Sequence, residues 1–133
     1  MNERDRQRNN NEILSLIRFS NKSGSHTNCF RGPGKVLLDP HETTKYLVYS
    51  YLRAQGHNVI TEPIFIKESF RPDIIDLDTG ICYEILHSET EEKFKEKQAK
   101  YPENLEIRKI KSVNIFDHTK ESIREYLSKH ILV

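Results

Sequence analysis

The stretch from Arg71 to Leu86, RPDIIDLDTGICYEIL, constrains the fold of this chain more than any other part of the sequence. Its two apolar runs are separated by residues 76–80, and Asp-Thr-Gly between β-forming residues is typical of a tight turn. The pattern therefore predicts a β-hairpin. Because side chains alternate along a strand, we expect Glu84 to share one face of the second strand with Cys82.

Two acidic residues, Asp73 and Glu84, stand among the isoleucines of this hairpin. Burying a lone carboxylate is costly unless the group is neutralised or paired. A metal ion would remove the conflict, since two carboxylates and a backbone carbonyl beside Glu84 are the oxygen ligands that Mg²⁺ prefers. The alternative is that Glu84 faces solvent on a sheet that is covered on one side only.

The composition fits one domain with one modest core, because 35 % of the 133 residues are hydrophobic and 31 % are charged. The net charge is only +1, yet residues 1–35 contain seven basic and three acidic residues. We therefore expect a basic N-terminal arm with a short helix and a loop over residues 1–35, followed by a core over residues 36–133. With two cysteines, neither a disulfide framework nor a zinc cluster is supported. No apolar run is long enough for a membrane span or a signal peptide, so a cytoplasmic, intracellular location is expected.

Periodicity and turn residues predict the order helix, helix, strands, helix, strand, helix. The segments are a helix over 12–19, a helix over 41–55, strands at 59–60 and 64–66, the hairpin, a Lys-rich helix between 88 and 102, a strand over 105–110 and a helix over 120–130. This order predicts an α/β (α+β) single domain with one central mixed β-sheet flanked by helices.

The basic residues of the arm are candidates for contact with DNA phosphates, and Phe30 among them is a candidate for stacking on a base. The candidates are Arg18, Lys22, Arg31 and Lys35. The alternative is that this polar segment is a solvated connector. The Gly32-Pro33-Gly34-Lys35 run precedes no suitable helix and is not a nucleotide-binding loop.

In order along the chain, Glu42 in a helix, Pro72-Asp73, Glu84 on the next strand and a Lys-rich helix resemble the PD-(D/E)XK nuclease superfamily. Within it, the chain is most similar to archaeal Holliday junction resolvases and related archaeal or viral nucleases. The resemblance covers roughly residues 40–110. It implies a restriction-endonuclease-like fold and a DNA endonuclease that depends on Mg²⁺ or Mn²⁺, acts on duplex or branched DNA and forms a homodimer.

By this resemblance, Asp73 and Glu84 are metal ligands and Glu42 is an accessory acid. The structural alternative for Glu42 is a carboxylate favoured by the helix N-terminus. A further alternative is a small structural or regulatory protein in which the Asp73 and Glu84 carboxylates merely face water and lie far apart or on opposite faces.

The chain departs from the family at the catalytic lysine, because the position that Glu-x-Lys requires is Leu86. Lys93 and Lys97 on the following helix are the candidates to replace it, and Lys45 and Lys67 are lesser candidates. The helix lysines are otherwise a solvated face. If no lysine returns to the site, the fold is expected to serve as a catalytically degenerate module that binds nucleic acid or a protein.

Overall fold

The computed structural model describes residues 2–18, 28–30, 35–66, 71–86, 91–99 and 105–131. In chain order, the elements in these residues are α1 (Glu3–Leu14), β1 (Ile17–Arg18), α2 (Pro40–Ala54), β2 (Val59–Thr61), β3 (Ile64–Phe65), β4 (Ile74–Asp76), β5 (Ile81–Leu86), α3 (Glu91–Gln98), β6 (Glu106–Lys111), a 3-10 turn (Ile115–Asp117) and α4 (Lys120–His130). Lys22, Arg31 and Lys67 lie outside the described residues, as do the side chains of Arg18 and Lys97.

The predicted hairpin is confirmed by β4 and β5, which pair antiparallel with Ile75 opposite Cys82. In the turn, the Gly80 N–H donates to the Asp76 carbonyl oxygen at 2.8 Å, and the Asp78 N–H donates to Asp76 Oδ1 at 3.0 Å. Gly80 has φ +76°, in the left-handed region that glycine adopts without steric cost. The local turn chemistry therefore determines where the chain reverses.

The predicted mixed sheet is confirmed as a four-stranded sheet with the order β2-β4-β5-β6. β2 and β5 each pair antiparallel with β4, and β6 pairs parallel with β5. β1 and β3 form a separate two-stranded antiparallel sheet. The described chain is thus a single α+β domain with a mixed sheet and helices beside it.

Apolar side chains pack on both faces of the four-stranded sheet. One cluster joins α2 and α4 to the sheet and includes Val48, Leu52, Ile74, Tyr83, Ile85 and Leu127. The other joins α1 and the small sheet to the opposite face and includes Ile13, Ile17, Phe65, Ile75 and Cys82. Glu84 alternates onto the Cys82 side and is only 3 % exposed. The alternative of a solvent-facing Glu84 is therefore wrong, because this face of the sheet is covered as well.

Helix α2 agrees with its prediction to within one residue at each end. Asp39 is the N-cap and its Oδ2 accepts from the Glu42 N–H at 3.2 Å, while Pro40 occupies the first helical position. Gly56, at φ +86°, follows the end of the helix. These caps and the apolar face of the helix are both readable in the sequence, which is why the prediction succeeds.

The first helix is different from the predicted helix over residues 12–19. Helix α1 covers Glu3–Leu14, and the chain then forms β1, with Ile17 buried. The polar residues of α1 are stabilised by distant partners, since Arg6 Nε donates to Asp78 Oδ1 at 2.9 Å and Asn10 Nδ2 donates to the same oxygen at 2.6 Å. The apolar residues around 13–17 were therefore mistaken for one helical face, although they span the end of a helix and a strand.

Candidate metal and nucleic-acid site

Asp73 and Glu84 lie opposite each other at the open end of the hairpin, since Ile74 pairs with Tyr83. The Asp73 N–H donates to Glu84 Oε1 at 3.1 Å. The Ile85 N–H donates to Asp73 Oδ2 at 2.8 Å. Each carboxylate therefore bonds to the backbone of the neighbouring strand, and the alternative with the two acids far apart or on opposite faces does not hold.

The N-terminus of α2 brings a histidine and a second acid to Asp73. His41 Nε2 lies 3.4 Å from Asp73 Oδ2, and His41 Nδ1 lies 3.5 Å from Glu42 Oε1. The hydrogen bond to Asp73 raises the pKa of His41, against the opposing effect of burial, and the charge of Glu42 adds to the increase. Sequence reasoning missed His41, for which the available signal was its position beside Glu42 at a helix start.

Lys45 is fully buried one turn further along α2. Its Nζ lies 3.4 Å from Glu42 Oε2 and 3.4 Å from Glu62 Oε2. The same atom lies 5.6 Å from the centre of the Phe30 ring. A buried ammonium is tolerated only when opposite charges compensate its lost hydration, and two carboxylates provide that compensation here.

Lys45 is the candidate lysine that the fold brings among the acids, although the sequence ranked it below Lys93 and Lys97. Lys93 is exposed on α3. Leu86 is half-buried at the end of β5, in the position where the resemblance expects lysine. The proposed roles of Lys93 and Lys97 stay predictions.

Glu62 was missed by sequence reasoning and adopts a backbone conformation that is rare for its residue type. Its φ is +47°, in the left-handed region, and it precedes Pro63. For a residue with a Cβ, that region costs roughly 1–2 kcal/mol. The Glu62 N–H donates to the Asp73 carbonyl oxygen at 2.8 Å, which ties this turn to the candidate site. A strained residue at a cluster of charged groups is a common mark of a functional site.

We call these four carboxylates, from Glu42, Glu62, Asp73 and Glu84, the acid cluster. Lys45 and His41 lie beside it, but carboxylates outnumber the basic side chains in this group, which favours a divalent cation. Both polar contacts of the Asp73 carboxylate with described residues involve Oδ2, which leaves Oδ1 for a further ligand. Mg²⁺ is commonly held by one or two carboxylates and several waters, so Asp73 and Glu84 are of the ligand type that this ion takes, and Mg²⁺ or Mn²⁺ here stays a prediction.

A second group with metal-binding residue types lies at the hairpin turn. In the described part of the chain, ligand atoms of three such residues approach within 4.8 Å of one another at His57, Asp76 and Asp78. His57 Nδ1 lies 2.7 Å from Asp76 Oδ2, and Asp78 Oδ2 accepts from the Asn58 N–H at 3.1 Å. Asp78 Oδ1 already accepts from the Arg6 guanidinium, whose charge opposes a cation. This group therefore fits a structural role, joining α1 to the turn, better than a metal site.

The structure describes only some of the candidate DNA-binding residues of the arm. Lys35 is exposed just before α2. Cys29 and Phe30 lie beside the edge strand β2, because the Cys29 N–H donates to Thr61 Oγ1 at 2.7 Å and the Thr61 N–H donates to Asn28 Oδ1 at 2.8 Å. Roles for Arg18, Lys22, Arg31 and Lys35 in binding stay predictions.

Comparison of the chain with protein-family models, with curated proteins and with solved structures found no match. The resemblance to PD-(D/E)XK nucleases therefore stays a prediction from the motif residues of the sequence. Among the described residues, none of the helices has the length and apolar character needed to cross a membrane.

Proposed function

We propose that this chain is a metal-dependent DNA endonuclease that hydrolyses phosphodiester bonds, with a PD-(D/E)XK-like site at the open end of the β4–β5 hairpin. The observation that carries the proposal is the pairing of Asp73 with Glu84 across two strands, beside Glu42 at the start of α2. This is the combination of acids that the sequence resemblance implies. The observed strand order, with three antiparallel strands and a fourth parallel one, is compatible with it.

The negative charge of the acid cluster supports a divalent ion in this proposal. The carboxylates of the acid cluster repel one another, and Mg²⁺ or Mn²⁺ at Asp73 and Glu84 would relieve that repulsion. When bound, such an ion supplies a Lewis acid for a phosphate oxygen and lowers the pKa of a coordinated water. The proposed ligands favour a hard ion, because both are oxygen donors.

The chain's own residues then have distinct tasks. The β-ladder and the backbone N–H groups of Asp73 and Ile85 hold the two ligand carboxylates in place. Glu42 is the accessory acid, and its carboxylate is oriented by Lys45 at 3.4 Å and His41 at 3.5 Å. Its task is to accept a hydrogen bond from the attacking water.

Lys45 acts as a positioning residue in this arrangement because its side chain is fully buried behind Glu42 and Glu62. A lysine that touches the phosphate must come from elsewhere. Lys93 and Lys97 on α3 remain the proposed source, since α3 follows directly on the strand that carries Glu84. Their cationic groups would offset charge that develops on the phosphate in the transition state.

The proposed substrate is duplex or branched DNA, and the proposed active form is a homodimer because two strands need two cuts. Phosphate contacts from Arg18, Lys22, Arg31 and Lys35 would make binding depend on salt.

The test is cleavage of labelled duplex and four-way-junction DNA with Mg²⁺ or Mn²⁺, comparing the parent with Asp73→Asn and Glu84→Gln. These changes keep a hydrogen-bond acceptor for the Ile85 and Asp73 N–H groups while removing the ligand charge. We expect metal-dependent cutting by the parent and a loss of at least about 100-fold in each variant, since even the outer partners of metal ligands are typically worth about 10–100-fold.

Glu106→Gln is the matched control, because Glu106 is a strand carboxylate on β6 whose side chain is 55 % exposed. It should cut at the parent rate. Circular dichroism of all variants checks that the fold is retained. Cutting that persists in Asp73→Asn and Glu84→Gln, or that needs no metal, would refute the assigned site.

The second candidate function is a catalytically degenerate fold that binds nucleic acid or a protein. Two observations favour it: leucine at position 86, where the resemblance expects lysine, and burial of Lys45. Intact DNA binding without cutting on any substrate, with or without metal, would support this candidate and exclude the endonuclease.

A further inference from the structure

Two exposed aromatic side chains, Phe30 and Tyr46, form a surface that we call the aromatic platform. Phe30 is 37 % exposed and Tyr46 is 54 % exposed. Their ring centres are 5.3 Å apart at an interplanar angle of 74°. Phe30 also packs edge-on against Tyr49, with ring centres 5.3 Å apart. The platform is thus built from rings in contact rather than from scattered apolar residues.

The platform has a fixed position relative to the sheet. Phe30 follows Asn28 and Cys29, whose hydrogen bonds to Thr61 attach this segment to the edge strand β2. The Asn28 side chain also lies 3.4 Å from Tyr49 Oη, with its amide as donor. These contacts place the rings together without a ligand, and a preformed surface binds at a lower entropic cost.

The platform is continuous with the acid cluster. Tyr46 stands four residues after Glu42 on α2, so the two side chains are neighbours on one helical face, about 5–6 Å apart at Cβ. Lys45, which pairs with Glu42, lies 5.6 Å from the Phe30 ring centre. Successive phosphates of one strand in B-DNA rise by about 3.4 Å, so Tyr46 lies within about two nucleotides of a phosphate at the acid cluster.

We propose that the aromatic platform stacks an unpaired base of the strand that enters the acid cluster. This inference rests on the proposed function and specifies its substrate as DNA with an unpaired nucleotide beside the cleaved bond. Aromatic side chains stack on any base, whereas bases inside a duplex are already stacked on each other. Single-stranded or branched DNA therefore gains from the platform and perfect duplex does not.

The test measures binding of a single-stranded oligonucleotide and of the matched duplex in Ca²⁺, a hard cation that carboxylates also bind, and gel electrophoresis checks that the strands stay uncut. The oligonucleotide carries 2-aminopurine, whose fluorescence falls when the base stacks. We expect Tyr46→Ala to weaken single-strand binding by about 10-fold and to reduce the quenching, as truncation of a stacking aromatic does. Tyr46→Phe should bind as the parent does, because it keeps the ring.

Phe116→Ala is the control for loss of an exposed aromatic, since Phe116 is 67 % exposed on the 3-10 turn. It should leave binding and quenching within about twofold of the parent, because surface changes outside a site have small effects. Equal single-strand binding by Tyr46→Ala and the parent, or an equal loss on duplex, would overturn the inference while leaving the endonuclease proposal intact. A parent that binds no DNA and cuts none with metal would overturn both, and the platform would then be a surface for a protein.

Discussion

Replacing Lys45 with methionine tests whether the buried ammonium holds the acid cluster together. Methionine preserves most of the apolar stem and removes the positive charge that Glu42 and Glu62 both face. At 3.4 Å each ion pair has a gross attraction of about 5 kcal/mol at an effective dielectric constant near 20.

The net loss in the free energy of unfolding is smaller than this attraction, because Lys45 gives up its hydration when the chain folds and regains it when the chain unfolds. Breaking a buried pair typically costs about 3–5 kcal/mol. The carboxylates of Glu42 and Glu62 keep some hydration, with 15 % and 19 % of their side chains exposed, so we expect the low end of that range. Lys45→Met should therefore lower the free energy of unfolding by about 3 kcal/mol, or the melting temperature by about 12 °C.

Urea denaturation followed by circular dichroism measures this loss, with Lys129→Met as the control. Lys129 pairs with Glu125 at 3.2 Å on α4, but both side chains are 68 % exposed, so its loss should cost under about 0.5 kcal/mol. The double variant Lys45→Met/Glu62→Gln should recover part of the stability, because it removes one of the two carboxylates that Lys45 compensates. A loss below about 1 kcal/mol for Lys45→Met, or no recovery in the double variant, would refute the coupling of these three residues.

Three further predictions concern the elements that hold the site in place. Gly80→Ala should destabilise the fold by about 1 kcal/mol in urea denaturation, because φ +76° is strained for a residue with a Cβ. Thr44→Val should cost about 1–2 kcal/mol in the same assay, since it leaves the half-buried Val113 N–H, now 2.9 Å from Thr44 Oγ1, without this acceptor. Although burial acts in the opposite direction, the hydrogen bonds from Arg6 and Asn10 hold the pKa of Asp78 below its ordinary value of 3.8. A lowered folded pKa means that this contribution to stability is present above pH 3.8 and is lost as the pH falls through the folded pKa. Asp78→Asn should therefore lose stability less steeply than the parent in acid melts.

Control variants distinguish the stated cause of each stability change from a general disruption of the fold. Thr44→Ser keeps the hydroxyl and should stay closer to the parent than Thr44→Val does. Apart from its two chain neighbours, no described residue has a heavy atom within 4 Å of the position that a Cβ would occupy on Gly56, at φ +86°, so Gly56→Ala isolates backbone strain from crowding. A parent and an Asp78→Asn variant with parallel acid profiles, or a Gly80→Ala variant as stable as the parent, would contradict the corresponding argument.

The hairpin and α2 were predictable because their signals are local. Asp-Thr-Gly between apolar runs encodes the reversal, and Asp39-Pro40 with Gly56 encodes the two ends of the helix. Alternation along β5 also placed Glu84 on the Cys82 face in advance. Its burial was not predictable, because that depends on α1 and the small sheet, which cover this face from distant parts of the chain.

The residues of the candidate site likewise divide into those that local patterns predict and those that depend on distant parts of the chain. Glu42, Asp73 and Glu84 were predicted from motif order and spacing, and the antiparallel register of β4 and β5 brings the latter two together. Glu62 was not predicted because nothing in a Glu-Pro pair specifies a positive φ. His41 was overlooked because its interaction with Asp73 joins residues 32 positions apart in the sequence.

By itself, the sequence determined the β4–β5 hairpin, the capped helix α2 and the positions of Glu42, Asp73 and Glu84, since turn residues, caps and alternation act between near neighbours. Only the tertiary structure decided that the polar helix α1 packs on the hairpin turn, through Arg6 and Asn10 on Asp78, and that Lys45 lies buried between Glu42 and Glu62. These outcomes depend on the desolvation of charged groups, which is set by every element that packs around them and by no local pattern.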